Sequence, residues 1–184
     1  MPGAHAKLGP SSADRWMTCS ASVELIDRLT EDGKIAPDST SVYAAEGTVA
    51  HEIREMCLNL GLDPHHFVGR VMSADGFTFT VTEDMASHLQ TGIDWVREMT
   101  QAPDVEIRVD LSHWLPGQFG TCDTGWISGG TLYVSDLKYG QGQNVEAVGN
   151  RQIRIYALGY WAYKGFPHID RVVLNIDQPR AGGM

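Results

Sequence analysis

Hydrophobic residues in the first 104 positions recur mainly at the spacing of a helix. This period predicts helices over residues 12–29, 41–60 and 83–100. The second of these helices is expected to have Ser41 as its N-cap and to end at Gly61. Its apolar stripe comprises Val42, Ala45, Val49, Ile53, Met56 and Leu60. Between the last two helices, a period of two predicts a hairpin with strands over residues 67–72 and 77–82.

After residue 104 the pattern changes to that of strands. The predicted order is β-β-β-α-β, with strands over residues 105–111, 119–128, 131–139 and 169–176 and a helix over residues 145–164. Because helices precede this unit, the sequence predicts an α/β fold in which helices flank a mixed sheet. We expect one domain over residues 1–184, in which a helical and hairpin region (1–104) precedes the core (105–184).

The composition is that of a globular protein, since 42% of the 184 residues are hydrophobic and 20% are charged. No run reaches the roughly 18 consecutive apolar residues that a membrane span needs, and the first residues lack the apolar segment of a signal peptide. We therefore expect a cytoplasmic protein without a membrane partner. The three scattered cysteines, Cys19, Cys57 and Cys122, argue against a disulfide framework and against a zinc module.

The net charge of −9 is distributed unevenly along the chain. Residues 1–137 contain 8 Lys and Arg against 20 Asp and Glu, a net charge of −12, whereas residues 138–184 contain 6 against 3, a net charge of +3. An acidic region either repels a phosphate backbone or binds metal cations. The basic region begins at Lys138, beside the acidic residues considered next.

The dipeptide Gly129-Gly130 predicts a tight two-residue turn between two core strands. Such a turn fixes the register, and by this register Asp123 should lie across from Asp136. Lys138 is two residues beyond Asp136 and should project from the same face. Two like charges on a partly buried face repel each other. A shared proton, an ion pair with the lysine, or a divalent cation bound by both carboxylates would relieve this repulsion.

Four short motifs follow one another along the chain. They are Gly47-Thr48-Val49-Ala50-His51, Gly120-Thr121-Cys122-Asp123, Asp136-Leu137-Lys138 and Gln152-Ile153-Arg154-Ile155-Tyr156. Together they resemble the motifs of the RecB-like exonuclease family, including its phage-type members, within the PD-(D/E)XK nuclease superfamily. The resemblance implies a restriction-endonuclease-like α-β-β-β-α-β core, to which the N-terminal helical and hairpin region is added.

The same resemblance implies roles for individual residues. The catalytic residues would be Asp123, Asp136 and Lys138. The ligands of Mg²⁺ or Mn²⁺ would be His51, Asp123, Asp136 and the main-chain carbonyl of Leu137. Gln152 and Tyr156, one helical turn apart, would position the lysine or the DNA backbone, and their neighbours Arg151 and Arg154 are candidates for phosphate contacts. Some relatives contain an iron–sulfur cluster, but no C-terminal cysteine group accompanies Cys19, so no cluster is expected.

Two residues have alternative interpretations. His51 lies nearly opposite the apolar stripe of its helix, so it is either an exposed histidine or, on a helix buried on two sides, a ligand above the carboxylates. An imidazole ligand suits Mn²⁺ better than Mg²⁺. Glu106, on the strand that precedes the Gly-Gly hairpin, is either a solvated strand residue or a further member of the site.

The expected function is that of a metal-dependent DNA nuclease, an exonuclease rather than an endonuclease, acting in phage or bacterial recombination or DNA processing. DNA would be its partner, and a homo-oligomer or a recombination partner protein would strengthen the weak, salt-sensitive binding expected of an acidic protein. One alternative is a DNA-binding or regulatory module that keeps the nuclease fold without cleaving. Another is a structural protein in which the acidic pair forms an incidental salt bridge.

Overall fold

The structure, a computed structural model, describes residues 6–35, 40–140 and 144–181. Its helices are α1 (Ala13–Thr18), α2 (Ser22–Glu31), α3 (Val42–Leu60), α4 (Glu83–Met99) and α5 (Arg151–Tyr163). Its strands are β1 (Val71–Ala74), β2 (Phe77–Thr80), β3 (Asp104–Asp110), β4 (Phe119–Ser128), β5 (Thr131–Leu137) and β6 (Arg171–Asp177). Strands β3 to β6 form a mixed sheet and β1 pairs with β2, which confirms the predicted α/β fold with flanking helices.

Helix α3 carries the predicted caps. Ser41 Oγ accepts a hydrogen bond from the amide of Ala44 at 3.2 Å, and Gly61 ends the helix with a φ of +68°. The middle of the predicted apolar stripe is buried, but Val42 and Leu60 are 44% and 65% exposed. The stripe was therefore wrong at both ends, because the helix extends beyond the apolar cluster that its middle turns contact.

Two other predicted helices differ from the structure. Residues 12–29 form two helices, because the chain is extended at Cys19 (φ −134°, ψ 97°), where α1 ends. The helix predicted over residues 145–164 starts later. The main chain of Val145 is bound instead by the side chain of Gln178, which accepts from its amide at 3.0 Å and donates to its carbonyl at 2.7 Å.

The N-terminal hairpin and α4 follow the prediction with smaller differences. Strand β1 overlaps the predicted strand 67–72 only at Val71 and Met72 and runs on to Ala74, and β2 ends two residues before the predicted residue 82. Helix α4 buries Met85, Leu89 and Val96 as expected. Met99, the last residue of α4, was expected in the core but is 45% exposed, because the helix ends there.

The four-stranded sheet is a layer between two groups of helices. Strands β3, β4 and β5 form an antiparallel meander, and the crossover through α5 places β6 parallel to β5. One apolar cluster joins α3, α4 and the N-terminal hairpin, and a second joins the sheet to α5. Across the described ranges, no helix combines the length and the apolarity needed to cross a bilayer.

The turn between β4 and β5 has the predicted form. In Gly129-Gly130 the φ angles are +54° and +74°, as a primed two-residue turn requires. The pairing keeps the predicted register from this turn as far as Thr124 and Ser135. The described pairing ends there, and Asp123 and Asp136, which come next in the same register, both line a cleft at the open end of the hairpin.

Candidate metal centre

A cleft of about 350 Å³ lies at the open end of the β4–β5 hairpin, between the sheet, α3 and α5. Its lining includes His51, Glu106, Asp123, Asp136, Lys138, Gln152 and Tyr156. The segment that precedes α1 also reaches the cleft through Gly9 and Pro10. All four motifs singled out in the sequence therefore contribute side chains to one cleft, although they are distant along the chain.

Three residues in this cleft form a group that could hold a metal ion. One potential ligand atom each from His51, Glu106 and Asp123 lies within 4.8 Å of the other two. His51 Nδ1 is 3.4 Å from Glu106 Oε1 and 3.5 Å from Asp123 Oδ2. Asp123 is only 8% exposed, so little water competes with an ion for its carboxylate.

The main chain of Leu137 orients two members of this group. Its carbonyl oxygen lies 3.1 Å from His51 Nε2, and its amide donates to Asp123 Oδ2 at 2.8 Å. Because a carbonyl only accepts hydrogen bonds, Nε2 carries the proton and Nδ1 is the nitrogen that faces the carboxylates. The carbonyl expected to be a metal ligand thus fixes the orientation of the imidazole, as residues behind metal ligands commonly do.

The charge of His51 depends on these neighbours. Burial opposes protonation of the imidazole, but the carboxylate of Asp123, followed by that of Glu106, raises the pKa of His51 above its ordinary value. A protonated His51 places a positive charge between the two carboxylates. This is the position at which a metal cation would serve the same electrostatic purpose.

Asp136 and Lys138 form an ion pair beside the three-residue group. Lys138 Nζ lies 2.5 Å from Asp136 Oδ2, which confirms that the two side chains share a face. Asp136 is 2% exposed. Its burial and the nearby charge of Asp123 raise its pKa to about 6, although Lys138 acts in the opposite direction. Asp136 lines the same cleft but lies outside the group that brings three ligand atoms together.

Glu106 enters the site through an unusual backbone conformation. It has a φ of +50°, which side-chain-bearing residues rarely adopt. On either side of it, Val105 pairs with Thr124 and Ile107 pairs with Cys122, so Glu106 stands opposite Asp123 in β4. The sequence is compatible both with a solvent-exposed Glu106 and with a Glu106 that belongs to the site. Nothing in the strand pattern indicated its left-handed conformation.

Helix α5 contributes only part of the predicted substrate-binding set. Gln152 Nε2 donates to Tyr156 Oη at 3.2 Å, and both side chains line the cleft. Arg151 instead donates to Thr18 Oγ1 at 2.6 Å. Arg154 is exposed and lines a different depression on the other side of α5. The structure therefore brings two of the four predicted residues to the cleft and directs the two arginines elsewhere.

The sequence profile of the family described as "Protein of unknown function (DUF2800)" matches residues 5–184. The match covers nearly the whole chain, so the protein belongs to this family. No solved structure matches the chain.

Proposed function

We propose that this member of the DUF2800 family is a metal-dependent DNA nuclease that hydrolyses phosphodiester bonds and acts as an exonuclease. The observation that carries the proposal is the cleft, which collects His51, Asp123, Asp136 and Lys138 from separate segments of the chain. These are the positions at which the sequence resembles RecB-like exonucleases. That resemblance is also the reason for preferring exonuclease to endonuclease action and a role in phage or bacterial recombination or DNA processing.

The donor set fits Mg²⁺ or Mn²⁺. The carboxylates of Glu106 and Asp123 supply hard oxygen ligands, and Nδ1 of His51 supplies a nitrogen on the same side. Imidazole is a better ligand for Mn²⁺ than for Mg²⁺. Burial, followed by the negative charge of Asp123, raises the pKa of Asp136 to about 6, so the ionised form of this carboxyl is disfavoured in the cleft. A divalent cation would favour the ionised form.

When bound, the cation supplies positive charge that neutralises phosphate oxygens and promotes the ionisation of water. The residues of the chain hold and orient the other participants. Asp136 keeps the Lys138 ammonium at the cleft, where it can donate hydrogen bonds to a phosphate oxygen or to the attacking water. Gln152 and Tyr156, joined by a hydrogen bond, offer polar groups along one wall for the nucleic acid backbone.

The test is digestion of linear and closed circular DNA in the presence of EDTA, Mg²⁺ or Mn²⁺. We expect loss of linear DNA with either metal, resistance of the circular form, and no cleavage in EDTA. Asp123→Asn and Lys138→Ala should each reduce cleavage by at least a hundredfold. The first removes the charge of a proposed metal ligand, and the second removes the lysine ammonium that would stabilise the transition state.

Lys34→Ala is the matched control for the lysine variant. Lys34 Nζ also pairs with an aspartate, Asp32 Oδ2 at 2.8 Å, but it is exposed and outside the cleft. This variant should cleave like the unmodified protein. DNA binding without cleavage under any metal would instead support a non-catalytic binding module. The absence of both binding and cleavage would support a structural role for the acidic pair.

A further inference from the structure

A second group of charged and polar side chains is buried behind the cleft, where the sheet packs against α3 and α4. Arg54 of α3 is 2% exposed and Asp177 at the end of β6 is 1% exposed, while Thr124 and Ser135 are fully buried. Charged groups at this depth are costly unless hydrogen bonds or opposite charges compensate them. Their contacts therefore indicate what the group does.

Arg54 uses only part of its hydrogen-bonding capacity on protein atoms. Its Nη2 donates to Ser135 Oγ at 3.0 Å, and Asn175 Nδ2 donates to the same oxygen at 3.0 Å. Its Nε and Nη1 are buried without an acceptor among the described residues. Two donors of a buried guanidinium are thus directed into the interior beside β5 and β6.

The carboxylate of Asp177 is the second buried charged group behind the cleft. Within the described parts of the chain, neither carboxylate oxygen has a hydrogen-bond partner, and no ion pair within 4.0 Å joins it to Arg54. A Cβ on Gly92 of α4 would overlap Asp177 Oδ2, so a glycine there makes room for the carboxylate. Asp177 lies two residues beyond Asn175 on β6, which places it on the face that carries the Arg54–Ser135 contact.

We propose that Arg54 and Asp177 form a buried, water-bridged charge pair, and that both are positioning residues for the metal centre. This inference rests on the proposed function. The pair links α3, which carries His51, to β5, which carries Asp136, and to β6, without touching substrate or metal. Arg54 is one helical turn after His51, and its partner Ser135 immediately precedes Asp136. The carbonyl of Asp177 accepts from the amide of Lys138 at 2.8 Å.

The geometry explains why such a pair would matter. His51 projects from α3, whereas Glu106 and Asp123 project from β3 and β4, so the metal group forms only if α3 keeps its distance and rotation relative to the sheet, to which β5 and β6 also belong. Apolar contacts allow a helix to slide more readily than directed hydrogen bonds do. A charge pair with bridging water fixes both distance and rotation at the turn that carries His51.

The test separates metal affinity from stability. Mn²⁺ binding is measured from the electron paramagnetic resonance signal of the free ion, well below the melting temperature of every variant. Arg54→Met and Asp177→Asn should each lower the melting temperature, because each leaves one buried charge alone. Each should also weaken Mn²⁺ binding by about ten- to hundredfold, as loss of residues behind metal ligands does.

The double variant Arg54→Met/Asp177→Asn distinguishes positioning from simple structural support. Neither charge is left alone in it, so its melting temperature should recover relative to both single variants. Its Mn²⁺ affinity should remain as weak as theirs, because the directed contacts are still missing. Recovery of Mn²⁺ affinity together with stability would overturn the positioning role, and additive losses of stability would overturn the pair.

Arg97→Met is the matched control. Arg97 also ties α4 to the α3 region, since its Nη2 donates to the carbonyls of Cys57 and Leu62 at 3.2 and 2.6 Å, but these lie at the end of α3 remote from His51. The Arg97→Met variant should have a lower melting temperature and an unchanged Mn²⁺ affinity. If the unmodified protein bound no Mn²⁺, the proposed function would fail together with the positioning role. Undiminished Mn²⁺ binding in the Arg54 and Asp177 variants would overturn this inference alone.

Discussion

Two depressions flank helix α5, and they differ in chemistry more than in size. The larger, about 530 Å³, is mainly apolar. Its lining includes Leu132, Ala157, Leu158, Trp161, Val172 and Leu174. The smaller, about 350 Å³, is the cleft with the histidine, the carboxylates and the lysine. Volume alone would favour the apolar groove as the functional site. The convergent charged groups and the raised pKa of Asp136 favour the cleft.

Helix α5 and the β4–β5 hairpin contribute residues to both depressions. Helix α5 directs Gln152 and Tyr156 to the cleft and Leu158 and Trp161 to the groove. The β4–β5 hairpin supplies apolar residues near its turn and carboxylates at its open end. One hairpin therefore contributes Leu132 to the groove near its turn and two carboxylates to the cleft at its open end. Variants in each depression test whether this division holds.

The largest expected effect is the loss of metal-dependent stabilisation in Asp123→Ala. In the unmodified protein, Mn²⁺ at a hundred times its dissociation constant should stabilise the fold by about 2.7 kcal/mol. The variant lacks a carboxylate of the proposed ligand group and should show no such rise in melting temperature, as measured by scanning fluorimetry with and without Mn²⁺. Asp170→Ala is the control, because Asp170 is an exposed aspartate that lines the groove. A retained Mn²⁺ shift in Asp123→Ala would contradict the assignment.

The next effect concerns the stability of the metal-free protein. The pKa of Asp136 in the folded protein is about 6, above the ordinary 3.8. A carboxyl with a raised pKa binds its proton more tightly in the folded state, so this group destabilises the fold above pH 6 and the penalty disappears as the pH falls towards 3.8. Asp136→Asn should therefore increase the free energy of unfolding by about 1–2 kcal/mol at pH 8.

The same substitution should have little effect on stability near pH 3, where the carboxyl is largely protonated in both the folded and the unfolded protein. Urea unfolding at both pH values provides the measurement. A loss of stability at pH 8 would mean that the ion pair with Lys138 outweighs burial and the repulsion from Asp123. The cleft would then be a structural ion pair and the contrast with the groove would weaken.

A smaller effect is expected from Glu106→Gln. The substitution keeps the shape of the side chain and the contact with His51 but removes one negative charge from the three-residue group. Mn²⁺ affinity should fall by roughly tenfold, equivalent to about 1.4 kcal/mol, with an unchanged melting temperature in EDTA. Calorimetric titration with Mn²⁺ measures the change. Glu98→Gln on α4 is the control, because Glu98 is an exposed carboxylate outside the cleft lining, and equal affinities in the two variants would exclude Glu106 as a ligand.

The contrast between the two depressions also shows what sequence patterns could predict. The Gly129-Gly130 turn fixes the hairpin register by local geometry, so the placement of Asp123 and Asp136 at the same end of the hairpin could be derived from residue numbers alone. The cap at Ser41 likewise follows from a local rule. These predictions depended on interactions within a few residues or across one turn.

Other features depend on tertiary contacts, which cannot be predicted from residues close together in the sequence. The left-handed conformation of Glu106 costs free energy that only the surrounding fold can compensate, so a strand pattern does not reveal it. The direction of Arg154 depends on how α5 is rotated against the sheet. The burial of Arg54 depends on the packing of α3 against β5 and β6, and a helical wheel shows only that it adjoins the apolar side.

The smallest expected effect is that of Leu158→Gln in the groove. Leu158 is 44% exposed on α5, and glutamine has nearly the helix propensity of leucine, so the free energy of unfolding should change by no more than about 0.5 kcal/mol. Mn²⁺ affinity and the rate of DNA cleavage should not change, because the side chain lies across the helix from Gln152 and Tyr156. Thermal unfolding and a digestion time course measure the two effects. A slower digestion at unchanged stability would show that the nucleic acid also contacts the groove, and the two depressions would then belong to one binding surface.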